Sequence, residues 1–99
     1  MSIKARIDID FKHAMEQADE LEELSGRLCD IGNVKFDDTL TLITRTWNGQ
    51  NCIDYTKKAG MFKDRLYESA DILKNTAGLI RNTARLIYAA EMAAINICR

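Results

Sequence analysis

The chain contains no proline in its 99 residues. Proline ends helices and stiffens turns, so its absence removes the usual punctuation of loop-rich and all-β chains. Charge of one sign is lacking as well, with 14 Lys and Arg against 15 Asp and Glu. A near-neutral chain has no electrostatic footprint for nucleic acid or an anionic membrane. Basic residues are not interleaved with aromatics, as single-strand binding would require. His13 is the one histidine, so a metal cluster or a histidine-based triad lacks parts, and no glycine-rich phosphate loop occurs. The acidic pairs Glu22-Glu23 and Asp37-Asp38 fall on helical surface pattern rather than in a general acid–base arrangement. The expectation is a protein without cofactor, metal, nucleic-acid partner or enzymatic activity.

Long apolar runs are also missing. The longest stretch, Leu86 to Cys98, is interrupted by Glu91 and Asn96 and is too short to cross a bilayer. The opening segment, Ile3 to Asp10, alternates charged and apolar residues and has no apolar centre. It does not read as a signal peptide, so synthesis in the cytoplasm and exit other than by the general signal-peptide route are expected. The three cysteines, Cys29, Cys52 and Cys98, have no metal spacing, and an odd number cannot pair fully within one chain. If the chain folds back near residue 48, Cys29 faces the turn from Tyr67 to Ala70 and Cys52 faces Arg45. Buried or reduced thiols are expected.

What the chain has is helical pattern. Hydrophobic residues make up 46% of it, which excludes a disordered tail. Residues 1–9 alternate with period two and read as an extended arm, with Asp8 or Asp10 as N-cap of the helix that follows. A first helix is expected over 10–45. Leu21, Leu24, Leu28 and Ile31 keep the three-four spacing of a coiled-coil seam. The seam then slips to Phe36, Leu40, Ile43 and Trp47 across Gly32-Asn33, where a bend, register change or break is expected. A turn over 46–50 carries Trp47-Asn48-Gly49. Gly49 suits the left-handed conformation that ends a helix. Asn48 or Asn51 suits the cap of the next helix, and Asp54 holds the capping-box position after Asn51.

A second helix is expected over 51–97. Phe62, Leu66, Leu73, Ile80 and Ile87 lie on its main apolar stripe, and Ile72, Leu79, Leu86 and Ala93 on a neighbouring one. Such a face is too wide for one partner helix to cover. The fold expected is all-α: an antiparallel two-helix hairpin that dimerises into a four-helix bundle. Its partner-facing residues are Leu21, Leu24, Leu28 and Ile43 on the first helix and Phe62, Leu66, Leu73, Ile80 and Ile87 on the second. The acidic early turns of the first helix are expected beside Lys74, Arg81 and Arg85, where ion pairs choose orientation more than they add stability. The segment Leu86 to Cys98 is apolar on nearly every side, which fits burial in an oligomer or docking against a larger helical partner.

The placement of Trp47-Asn48-Gly49 at the mid-chain bend resembles the WXG family of small type VII secretion proteins, the early-secreted-antigen-like proteins of Gram-positive bacteria and mycobacteria. The resemblance covers the whole chain as an architecture. It implies a helical hairpin with the tryptophan and glycine in the turn, and assembly as a homodimer or heterodimer with another hairpin protein. It implies type VII export by a secretion ATPase, so that the chain ends up secreted or at the cell surface. The role implied is a small secreted effector, or a partner and targeting factor for a larger effector or toxin with a helical N-terminal region. The family's export signal is a tyrosine followed, after three residues, by an acid near the C-terminus. Tyr67 and Asp71 have that spacing but lie mid-helix; Tyr88 and Glu91 lie in the right region but are one residue short. A cytoplasmic structural or adaptor bundle with no export role is the alternative.

Overall fold

A computed structural model describes residues 2–46 and 49–97. Trp47 and Asn48 of the bend motif, and Cys98, lie outside the described residues. The fold is all-α. Helix α1 (Ile3–Asp30) leads through a π-helical turn (Ile31–Lys35) into α2 (Phe36–Thr46), and α3 (Gln50–Ile97) follows the bend. The first arm, α1 to α2, packs antiparallel to α3 as a two-helix hairpin.

The chain starts differently from the extended arm expected over residues 1–9. Residues from Ile3 onward are helical. Ser2, not Asp8 or Asp10, is the cap: its Oγ accepts the Ala5 N–H at 3.0 Å and its carbonyl accepts the Arg6 N–H at 3.1 Å, the N-cap pattern. The alternation of Ile3, Ile7 and Ile9 masked a helical interval. Ile3, Ile7 and Phe11 recur every four residues, and Ile7 is only 6% exposed. Asp8 instead pairs with Lys4 one turn earlier, at 3.6 Å.

The slip at Gly32 is a π-helical turn. Backbone angles stay right-handed helical at both of its ends, Asp30 and Phe36, so the helix takes in the register change without breaking. Gly32 is buried there. A Cβ on it would lie 3.2 Å from Cε1 and Cζ of Tyr67, so glycine permits this close approach. In α2 the hydroxyls of Thr39, Thr41, Thr44 and Thr46 each donate to a carbonyl three or four residues back, at 2.9 Å. Such bonds satisfy threonine inside a helix but loosen the ladder, and α2 buries no residue.

At the bend, Gly49 has φ +108°, in the left-handed region that glycine tolerates. Its carbonyl accepts the Ile53 N–H at 3.2 Å. Asn51 lies inside α3 rather than at its cap, and the Asp54 carboxylate accepts from the Gln50 side chain at 3.1 Å. The expected capping box on Asn51 is therefore not formed.

Contacts divide the chain into two compact units. Unit 1 joins Met1–Glu23 to Lys74–Arg99; unit 2 is Leu24–Leu73. In unit 1 the buried positions are Ile7, Ala18, Ala77 and Ala84; in unit 2 they are Ser25, Gly32, Cys52, Ala59 and Ala70. Nearly all are small. Ala18, Ser25 and Gly32 recur every seven residues, as do Ala70, Ala77 and Ala84. A heptad of small residues lets two helix backbones approach closely and displaces large side chains to the flanks. No large side chain among the described residues is fully buried.

Candidate interaction surface

Each unit has two unlike flanks beside its seam. In unit 1 one flank is tied by polar bonds. The Tyr88 hydroxyl donates to Asp8 Oδ1 at 2.9 Å, and the Tyr88 ring lies 4.8 Å from that of Phe11. Arg81 bridges Asp19 at 2.7 Å and Glu22 at 2.6 Å. Of the three bases expected beside the acidic turns, Arg81 makes these pairs. The bond to Asp8 holds the Tyr88 phenol above its ordinary pKa, because losing the proton would put two anions side by side. Arg81 is raised in the same sense, by its bonds to Asp19 and then Glu22.

In unit 2 the corresponding ties are Lys63 to Asp37 at 2.7 Å and the hydrogen bond from the Tyr67 hydroxyl to Asn33 Oδ1. Lys63 Nζ also sits 5.7 Å from the Tyr67 ring centroid, within cation–π range. The Asp37 bond raises the Lys63 pKa against the opposing effect of desolvation. Between the flanks, the Ser25 hydroxyl donates to the Ala70 carbonyl at 2.6 Å.

The other flank is apolar. At about 100° per residue, Phe62, Leu66 and Leu73 stand on α3 to one side of buried Ala59 and Ala70, while Lys63 and Tyr67 stand to the other. Leu24 and Leu28 stand likewise relative to Ser25 on α1. In unit 1, Leu21, Ile80 and Ile87 occupy the same kind of position beside Ala18, Ala77 and Ala84. Ile80, Ile87, Ala14, Thr76, Leu79 and Thr83 line an open groove of about 290 Å³.

The nine residues expected to face a partner thus do not form the interior of their own hairpin. Leu24 is 46% exposed, Phe62 54% and Ile87 51%; Leu21, Leu28, Ile43, Leu66, Leu73 and Ile80 are half-buried. Phe62 gains partial cover from Phe36, at 5.7 Å between ring centroids. An antiparallel hairpin with this many exposed large hydrophobics is suited to oligomerisation.

The other sequence candidates are placed as follows. Gly49 marks the bend. Tyr67 and Asp71, and Tyr88 and Glu91, all lie within α3, and both tyrosines are tied across to the first arm. Cys29 is half-buried and Cys52 buried, both as free thiols. The seam residues Ala18, Ser25, Ala70, Ala77 and Ala84 escaped the hydrophobic reading; their seven-residue recurrence was the signal that could have found them. Among the described residues no cluster of metal-type ligands forms, and no helix is long and apolar enough to cross a membrane. No protein-family model, curated protein or solved structure matches the chain.

Proposed function

We propose that this chain is a WXG-like, type VII secretion-associated binding protein that works by pairing its apolar flank with another helical hairpin. Within that role it is a small secreted effector or, better supported, the partner and targeting factor of a larger effector or toxin. The observation that carries the reading is the exposure of Leu24 and Phe62 in unit 2 and of Ile87 in unit 1 on a hairpin that reverses at Gly49, next to Trp47 and Asn48 in sequence. A binding surface of this kind needs no catalytic group. The partner role is favoured because Tyr67 and Tyr88, the tyrosines of the two candidate export signals, are tied to Asn33 and Asp8 within the hairpin. A signal held that way is not free to be read as a tail, so a partner would supply it.

The same ties also favour a second reading, an adaptor bundle that stays in the cell. Comparing secreted and cellular fractions with and without the secretion ATPase separates the two. On the export reading, this chain or the protein bound to it leaves the culture medium when the ATPase is lost. Unchanged distribution of both would leave the adaptor reading. A Trp47→Ala variant that keeps its fold and oligomer but loses export or partner binding supports the first reading; a change in stability alone supports the second.

A further inference from the structure

Two hollows adjoin in unit 1. One, of about 230 Å³, has Ile7, Asp10, Phe11, Ile87 and Glu91 among its walls. The other, of about 300 Å³, is formed by Ile3, Ile7, Glu91, Ala94 and Ile95. Ile7 and Glu91 belong to both and make the saddle between them. Asp10 and Glu91 are the only charged residues on either wall; Arg6 and Lys12 lie on α1 but line neither hollow. Neither carboxylate has an ion-pair or hydrogen-bond partner among the described residues. Glu91 is half-buried between apolar surfaces, so a partner that covers the hollows takes it out of water. Covering an unpaired carboxylate with apolar groups alone is costly, and a base beside it offsets that cost.

We infer that this double hollow docks a basic amphipathic helix of another protein, with a large apolar side chain in each hollow and a Lys or Arg between them, against Glu91 and Asp10. The walls are helices whose backbone groups are bonded within α1 and α3. They offer no sheet edge, and the helix-in-groove mode fits. The α3 walls span residues 84–91 in one hollow and 91–95 in the other, so their centres lie about 8 Å apart at 1.5 Å per residue. Side chains four to seven residues apart on a docked helix cover about 6–10 Å. An anionic lipid or fatty acid would instead bring like charge to both carboxylates. The surface adjoins the groove of Ile80 and Ile87 but rests on Ile3, Ile7 and Glu91, which that groove lacks. It is thus a second binding surface, beyond the pairing role proposed above.

The test uses the full chain and two labelled synthetic peptides of about 14 residues, roughly 20 Å as helices. One is an amphipathic helix of leucine and lysine; the other has glutamate in place of each lysine. Binding is followed by fluorescence anisotropy and helix content of the chain by circular dichroism. The basic peptide is expected to bind at least about tenfold more tightly than the acidic one. Asp10→Asn with Glu91→Gln is expected to abolish that preference. Asp38→Asn with Asp64→Asn removes the same charge from unit 2, where neither acid has a partner among the described residues, and is expected to keep the preference. Ile3→Gln is expected to weaken the basic peptide without loss of helix, because Ile3 is 73% exposed. Equal affinity for the two peptides, or no binding of either, overturns the inference. Equal loss in the two acid variants overturns it as well, since attraction would then be to net charge and not to this groove. Undiminished binding by Ile3→Gln places the peptide elsewhere and overturns the site.

Discussion

The hydroxyl of Ser25 donates a 2.6 Å hydrogen bond to the backbone carbonyl of Ala70 on the opposing arm, and both residues are buried. A hydroxyl one bond from Cβ reaches a backbone carbonyl of a neighbouring helix only where the two backbones lie close. That carbonyl already serves the α3 ladder, and its second lone pair takes the serine proton. The bond therefore measures how tightly the small-residue seam brings the arms together.

Volume, more than the hydrogen bond, should then govern this position. Ser25→Ala removes one bond and no packing volume, and is expected to cost about 1 kcal/mol. Ala70→Leu inserts a branched side chain where the arms touch and is expected to cost about 1–3 kcal/mol or force them apart. Urea denaturation followed by circular dichroism, at one fixed protein concentration, compares the two. A leucine tolerated as well as the alanine would contradict a close seam.

The glycines should split into three classes. At Gly26, Gly60 and Gly78 an added Cβ meets nothing within 4 Å. Each lies within a helix, so alanine there is expected to stabilise by about 0.5–1 kcal/mol through backbone entropy. At Gly32 the added carbon would press on the Tyr67 ring at 3.2 Å, and the bond to Asn33 is the contact that gives way. Gly32→Ala is expected to forfeit the helical gain and release Tyr67, seen as a change in tyrosine near-ultraviolet signal. At Gly49, φ +108° makes alanine strained whatever the space, and a loss of about 1 kcal/mol or more is expected. Thermal melts of the five variants check the order.

These positions also show what the sequence could convey. The hairpin was legible because Leu21, Leu24 and Leu28, and Phe62, Leu66 and Leu73, repeat at helical spacing on either side of a glycine stop. The change of register at Gly32 was legible as a slip between two stripes. The inner seam was not. Hydrophobic periodicity weights large side chains, and here these flank the contact, while Ala18, Ser25, Ala70, Ala77 and Ala84 occupy it. The N-terminal helix was hidden because Ile9, 41% exposed, completed an alternation that suggested a strand. The polar ties were half legible. Acidic early turns against Arg81 follow from antiparallel register, but which acids pair depends on rotamers that a one-dimensional pattern does not encode. Asp10 and Glu91, from opposite ends of the chain, line one groove of unit 1, which periodicity within one helix cannot bring together.

Alkaline pH should weaken the hairpin through Tyr88 and Lys63. The bond to Asp8 raises the Tyr88 pKa, and the bond to Asp37 raises that of Lys63. In both cases the folded value lies above the unfolded one. The contribution is therefore fully present below the unfolded value of about 10 and is lost as pH rises through the higher folded value. Stability is expected to be insensitive to these groups near neutrality and to fall from about pH 10 upward. Tyr88→Phe and Lys63→Met should each flatten part of that fall. Both side chains keep contact with water, so the effect of each is modest. Urea midpoints across the alkaline range read it, and slopes unchanged in both variants would remove these bonds as the cause.

Association should depend on one stripe of α3 and not on its neighbour. Ile80 and Ile87 stand beside the seam, whereas Leu79 and Leu86, 66% and 72% exposed, lie further round the helix. Ile80 and Ile87 line the open groove on the apolar flank proposed to pair with another helical hairpin. Burying such a side chain fully is worth about 1.5–3 kcal/mol. Replacing both isoleucines by glutamine, on both copies, is therefore expected to weaken dimerisation by at least about 100-fold. Leu86→Gln, outside that groove, should leave dimerisation near wild type, although Leu86 is more exposed than either isoleucine. Helix content by circular dichroism shows whether either variant harms the hairpin itself. Equal losses in the two variants would mean that association is unspecific collapse of apolar surface. A larger loss from Leu86 would move the interface to the outer stripe, where Ile72, Leu79, Leu86 and Ala93 recur every seven residues.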